Sequence, residues 1–156
     1  MISISPDQFH RLFPLACSWA KEQERLILQN GVKLDDDHIR YAEQVGVIQP
    51  EKVRLLKVER IPRPENIELR VAAEATKLLS PNVNGMTFRY GIYIQDRSWG
   101  EPELVVHELV HTRQYEQLGG FEPFLQKYLT ECLTIGYPEN PMEQEAIRIT
   151  EEICGR

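Results

Sequence analysis

Apolar residues recur at helical spacing from the start of the chain. Phe9, Leu12, Phe13, Leu15, Ala16, Trp19, Ala20, Leu26 and Ile27 predict a helix over roughly 7–29, stopped at Asn30-Gly31 and bent or restarted at Pro14. Asp35-Asp36-Asp37 offers an N-cap for a short helix through Val45, closed by Gly46. Val53 to Ile61 alternates loosely and predicts a strand, broken by Pro62 and Pro64. Ile67, Val71, Ala75 and Leu78 mark one side of a helix over about 65–79, and Pro81 to Gly85 has the composition of a turn. Met86 to Ile94 is aromatic and β-branched and predicts one continuous strand.

The C-terminal half is helical in pattern. One helix begins between Ser98 and Pro102 and ends at Gly119-Gly120, and a second covers about 121–134. Gly136 to Pro141 is a loop, and Asn140-Pro141 opens the last helix as N-cap and first helical residue. The order of helices, small sheet and helices predicts an α+β fold. Without repeats or a linker, the 156 residues read as one domain, with a helical part and a strand over 1–80.

Composition narrows the partners. The net charge of −6 disfavours nucleic acid and anionic membrane surfaces. No stretch approaches the roughly 18 apolar residues of a membrane span, and the first residues lack the pattern of a signal peptide. Cys17, Cys132 and Cys154 are an odd, widely spaced set, so the expectation is reduced thiols and a cytoplasmic location.

Residues 107–111 read His-Glu-Leu-Val-His. A spacing of four puts His107 and His111 on one face of a helix, one turn apart. Two imidazole nitrogens can then reach one zinc ion at about 2.0–2.1 Å. Glu108, beside the first His, is placed to take a proton from the attacking water and hand it to a leaving group. Leu104, Val105, Val106, Leu109 and Val110 make this helix apolar nearly all round, which predicts burial. Two His and a Glu are costly to bury without partners, and a metal removes most of that cost. The plainer reading is a hydrogen-bonded core His pair with Glu108 in a salt bridge.

A catalytic zinc site usually takes three protein ligands. His10 and His38 lie far upstream, His10 on the first helix and His38 beside the acidic turn, and neither is favoured. In the last helix Met142, Ala146, Ile149 and Ile153 form the buried stripe, flanked by Glu143 and Glu145. Glu143 is the favoured third ligand, although Asn140-x-x-Glu143 also has capping-box spacing; Glu145 stays open as the alternative.

Together these residues resemble the zincin metallopeptidases, and most closely small bacterial domains of the gluzincin branch. The likeness rests on His107 to Gln114 and on Pro141 to Ala146, and it covers about 86–154. It implies a zincin-like fold, a zinc cofactor on His107, His111 and Glu143, and Glu108 as general base. It also implies a sheet edge beside the active-site helix, with 88–94 as the strand on which a peptide or protein substrate pairs. Such sites often carry an oxyanion donor, for which Tyr137 is the candidate and Tyr115 the alternative. Many gluzincins have an Asp four residues after the ligand Glu; here that position is Ile147, so another group must orient the ring. Arg113 and Gln114 either line the cleft or face solvent, and Trp19 and Trp99 read as packing residues.

The leading expectation is a zinc-dependent hydrolase, with peptides as its first substrate class and other amides as the second. A binding or regulatory module on the same fold, with a structural or vestigial metal, is the competing class. Retention of Glu108 argues against it, because a structural site needs no base. A helical adaptor with a chance motif is a further reading, and it predicts no stoichiometric metal. The N-terminal helices either roof the cleft or extend the core.

Overall fold

The computed structural model describes residues 4–75 and 83–155, and these described residues form six α-helices and four strands. The order is α1 (Pro6–Asn30), β1 (Val32–Lys33), α2 (Asp36–Val45), β2 (Arg54–Val58), α3 (Ile67–Ala75), β3 (Gly85–Phe88), β4 (Gly91–Gln95), α4 (Pro102–Leu118), α5 (Phe121–Thr134) and α6 (Pro141–Cys154). The fold is α+β. None of the helices among the described residues is long and apolar enough to cross a membrane.

The sheet runs β1-β2-β4-β3 and is mixed. β2 and β4 are parallel, with Leu55 opposite Ile92, and α3 lies on the connection between them. β1 and β3 flank this pair in antiparallel register. Alternation along β4 divides the core. Ile92 and Ile94 pack with Val105, Val106, Leu109 and Val110 of α4, and with parts of α2 and α6. Tyr93 faces the opposite side, in a cluster with Ala20 and Ile27 of α1 and Phe121 and Phe124 of α5. Gly91 lies so close to α1 that an added Cβ would stand 2.9 Å from the Ile27 Cβ.

Three expectations change. Pro14 does not interrupt α1, which runs unbroken from a complete Ser5–Gln8 capping box to Gly31. The strand expected over 53–61 is shorter, and the helix expected over 65–79 is seen as α3 to Ala75, its remainder lying outside the described residues. The strand expected over 86–94 is a hairpin. Arg89 turns the chain at φ 59°, held by two hydrogen bonds from its guanidinium to Glu24 and by Thr112 donating to its carbonyl. Consequently residues 91–94 are paired on both sides, and 88–94 is not an edge. The edge beside α4 is β3.

Candidate metal and catalytic site

The start of α6 and one sheet edge converge on α4. Pro102 sits in the first turn of α4, and Gly119, at φ 99°, ends the helix in the left-handed region where glycine has no Cβ penalty. Between them His107 and His111 point the same way, with ring centroids 5.2 Å apart. Asn140, fully buried, fixes the start of α6: its Oδ1 accepts from the Glu143 amide at 3.1 Å, and its Nδ2 donates to the Gly136 carbonyl at 3.0 Å. Only the Asn half of the capping-box spacing is used. The Glu143 side chain turns instead to the His pair.

The Glu143 carboxylate is bracketed by the two imidazoles. Oε1 lies 2.9 Å from His107 Nε2, and Oε2 lies 2.9 Å from His111 Nε2. His111 and Glu143 are almost wholly buried, while the His107 side chain keeps 22% of its surface exposed toward the cleft. Burial by itself would lower the His111 pKa; the Glu143 carboxylate overrides this and raises it to about 9. Burial would likewise raise Glu143, but His111 and then His107 hold it well below the usual carboxylate range.

These residues fit a divalent metal. Among the described residues, His107, His111 and Glu143 form the group whose donor atoms all lie within 4.8 Å of one another. Metal–ligand arms of about 2.0–2.1 Å at a tetrahedral angle place neighbouring donors about 3.3 Å apart. The 2.9 Å contacts therefore need only a slight opening. Two imidazoles and one carboxylate suit zinc, and they also accept other divalent ions.

The orienting group that Ile147 cannot supply is Gln114. His111 Nδ1 lies 2.8 Å from Gln114 Oε1. The amide cannot rotate, because Gln114 Nε2 donates to the Met142 carbonyl at 3.1 Å and to Glu145 Oε1 at 2.8 Å. Gln114 thus presents only its oxygen, so Nδ1 carries a proton and Nε2 is the ring nitrogen turned toward Glu143 and available to a metal. Glu145 stands behind Gln114, one step removed from the His pair, and Glu143 is the acid brought to it.

Glu108 is buried beside the edge strand. Thr87 Oγ1 lies 2.7 Å from Glu108 Oε1 and 3.0 Å from the Glu108 carbonyl oxygen. A Cβ on Gly85 would come within 3.2 Å of Glu108 Cγ and 3.3 Å of its Oε2, so a glycine lets the strand approach this closely. Gln95 N donates to Asn84 O across the hairpin. Antiparallel alternation then turns the backbone groups of Gly85 and Thr87 outward, and the Thr87 carbonyl accepts from Tyr115 Oη at 3.4 Å.

Tyr128 is a member of the site that sequence reasoning missed. Its hydroxyl donates to Glu143 Oε2 at 2.6 Å, and its ring meets His111 edge-on at 5.8 Å. Burial, then the Glu143 charge, raises its pKa well above the ordinary value and keeps it a donor. The only sequence signal was its place in the apolar stripe Phe121, Phe124, Leu125, Tyr128, which reads as core. Tyr137 lines the same cleft, and burial, Glu143 and Glu108 raise its phenol in turn, so it too stays protonated. Tyr115 is stacked on Phe124 at 3.6 Å and serves as wall. Arg113 lies against α2, with Nη1 3.4 Å from the Val45 carbonyl, away from the cleft. His38 pairs with Asp35, and His10 is exposed on α1. Trp19 packs edge-on against Phe88 at 5.3 Å, and Trp99 lies under Lys57.

Neither a family model, nor a curated protein, nor a solved structure matches this chain. The functional reading therefore rests on the geometry alone.

Proposed function

We propose that this protein is a metal-dependent hydrolase of the zincin kind, acting on peptide bonds, with His107, His111 and Glu143 as ligands of one zinc ion. The observation that carries the reading is the convergence of those three donors with a buried Glu108 on a single cleft. A purely structural site would be served by the donors alone. Here a carboxylate stands next to them, held by Thr87 and overlooking an edge strand.

A divalent ion in that set supplies Lewis acidity, polarising a carbonyl and making water more acidic. The chain's own residues do the rest. Glu108 takes the proton of the attacking water and delivers it to the departing amine. Thr87 holds one Glu108 oxygen, which fixes the direction of that transfer. Tyr137, kept protonated, is the candidate donor to the developing oxyanion. On β3 the outward backbone groups of Gly85 can pair with an extended substrate, since the Thr87 carbonyl is already taken by Tyr115.

The test combines metal content with turnover. Elemental mass spectrometry of purified wild type should give one zinc per chain, lost in His107→Ala and Glu143→Ala and kept in Glu108→Gln. Glu108→Gln should cut peptide hydrolysis by about 10²–10⁴-fold. Full turnover in Glu108→Gln, or no metal uptake by wild type, would sink the proposal.

A further inference from the structure

The cleft beside Glu108 is lined in part by residues outside the two motif helices. A cavity of about 170 Å³ touches His107, Glu108 and His111. Its far walls are Leu12, Phe13 and Ala16 of α1, Ala72 of α3, and Leu125 and Leu129 of α5. The α1 residues share a face at helical spacing. Among the described residues no Lys, Arg or Asp lines the cavity, and its only Glu and His side chains are those of the site itself. A lining of this kind penalises a charged occupant and favours an apolar one. A cavity of about 150 Å³ with aliphatic and aromatic walls is known to hold one benzene molecule. The space here therefore matches a single large apolar side chain.

We infer that α1 and α3 build a specificity pocket for one large apolar residue flanking the scissile bond. The inference rests on the hydrolase reading above. It gives the N-terminal helices a function: they neither merely extend the core nor plug the site. The small side chains of Ala16 and Ala72 leave the space open, and Leu12 and Phe13 supply its contact surface.

Both turnover and binding test this. Wild-type protein loaded with zinc is incubated with a mixed peptide library, and the cleaved bonds are identified by mass spectrometry. Separately, a blocked pentapeptide with a central phenylalanine and its central-alanine counterpart are titrated calorimetrically onto Glu108→Gln. Cleaved bonds should be enriched for phenylalanine, leucine or methionine at one flanking position. The phenylalanine peptide should bind about tenfold tighter or more. Ala16→Phe and Ala72→Leu, which fill the pocket from two different helices, should shift both preferences toward small residues. Leu15→Ala, on the exposed side of α1, should leave them unchanged. Selective binding without any turnover overturns the hydrolase reading and leaves the pocket standing. Turnover without apolar preference, or a preference unmoved in both filled variants, overturns the pocket.

Discussion

Gln114 decides which nitrogen of His111 is available to a metal, and it does so without touching the metal position. Its amide is clamped by the Met142 carbonyl and by Glu145, so its oxygen alone faces the ring. Groups orienting a metal-ligating His in this way typically affect metal affinity by about 10–100-fold. Gln114→Leu keeps the volume and removes the acceptor. It should weaken zinc binding within that range in a competition titration against a chelator, while Glu145→Gln, one step further out, should cost less. Equal affinity in Gln114→Leu would mean that the ring is oriented by packing against Tyr128 and Phe124. Tyr128→Phe asks the same of the carboxylate: losing the 2.6 Å hydrogen bond to Glu143 should lower zinc affinity, with helix content unchanged by circular dichroism. Of these residues the sequence exposed His107 and His111 by their helical spacing, Glu108 by its place in the motif between them, and Glu143 as the favoured acid at the start of the last helix. Tyr128 and Thr87 lie at distant positions whose side-chain types also suit a core helix and a strand, so no local pattern marked them.

At the scale of elements, two short features carry the site. The start of α6 depends on Asn140, and the placement of Glu143 depends on that start. Asn140→Ala removes the cap and leaves the Glu143 amide unpaired, so it should cost about 1–2 kcal/mol in chemical denaturation and weaken zinc binding. A loss of stability with zinc affinity intact would show that Glu143 is placed by the His pair itself. The edge strand depends on Gly85. Gly85→Ala puts a methyl group against Glu108 and Leu104 at 3.2–3.3 Å, which pushes the Glu108 carboxylate aside by a few tenths of an ångström. Since a misplacement of about 1 Å can cost 10²-fold, turnover should fall roughly tenfold with metal content unchanged. Helices with caps were legible along the chain: α4, α5 and α6 begin and end close to their expected bounds, because Pro102, Gly119, Asn140 and Pro141 are strong local signals. The hairpin was not. Its turn is Arg89-Tyr90, with none of the Asn-Gly or Asp-Gly chemistry that announces a two-residue loop. The left-handed Arg89 is held by Glu24, which stands 65 residues away in sequence. The same long-range dependence hid the sheet order, so the wrong strand was expected at the edge.

For the whole molecule, the site sets a pH dependence that a metal should reverse. Without metal, His111 and Glu143 form a buried ion pair. The His111 pKa is raised from 6.5 to about 9 in the folded protein. Its contribution to stability is therefore complete below 6.5 and fades as pH rises toward 9. The Glu143 pKa is lowered from 4.5, so its contribution is present above 4.5 and fades in acid. The metal-free protein should accordingly be most stable between about pH 4.5 and 6.5, with Tm falling from 6.5 to 9. Zinc requires the same imidazoles without their Nε2 protons, so its stabilising effect should grow with pH across that interval. Differential scanning calorimetry with and without zinc would show the two curves diverging as pH rises. In His111→Gln the metal-free slope between 6.5 and 9 should flatten, because the raised group is gone. A wild-type Tm that stays level over that range without metal would mean that the ion pair contributes no net stability. Glu143 would then be held in place by Asn140 and Tyr128 and not by the charge it faces.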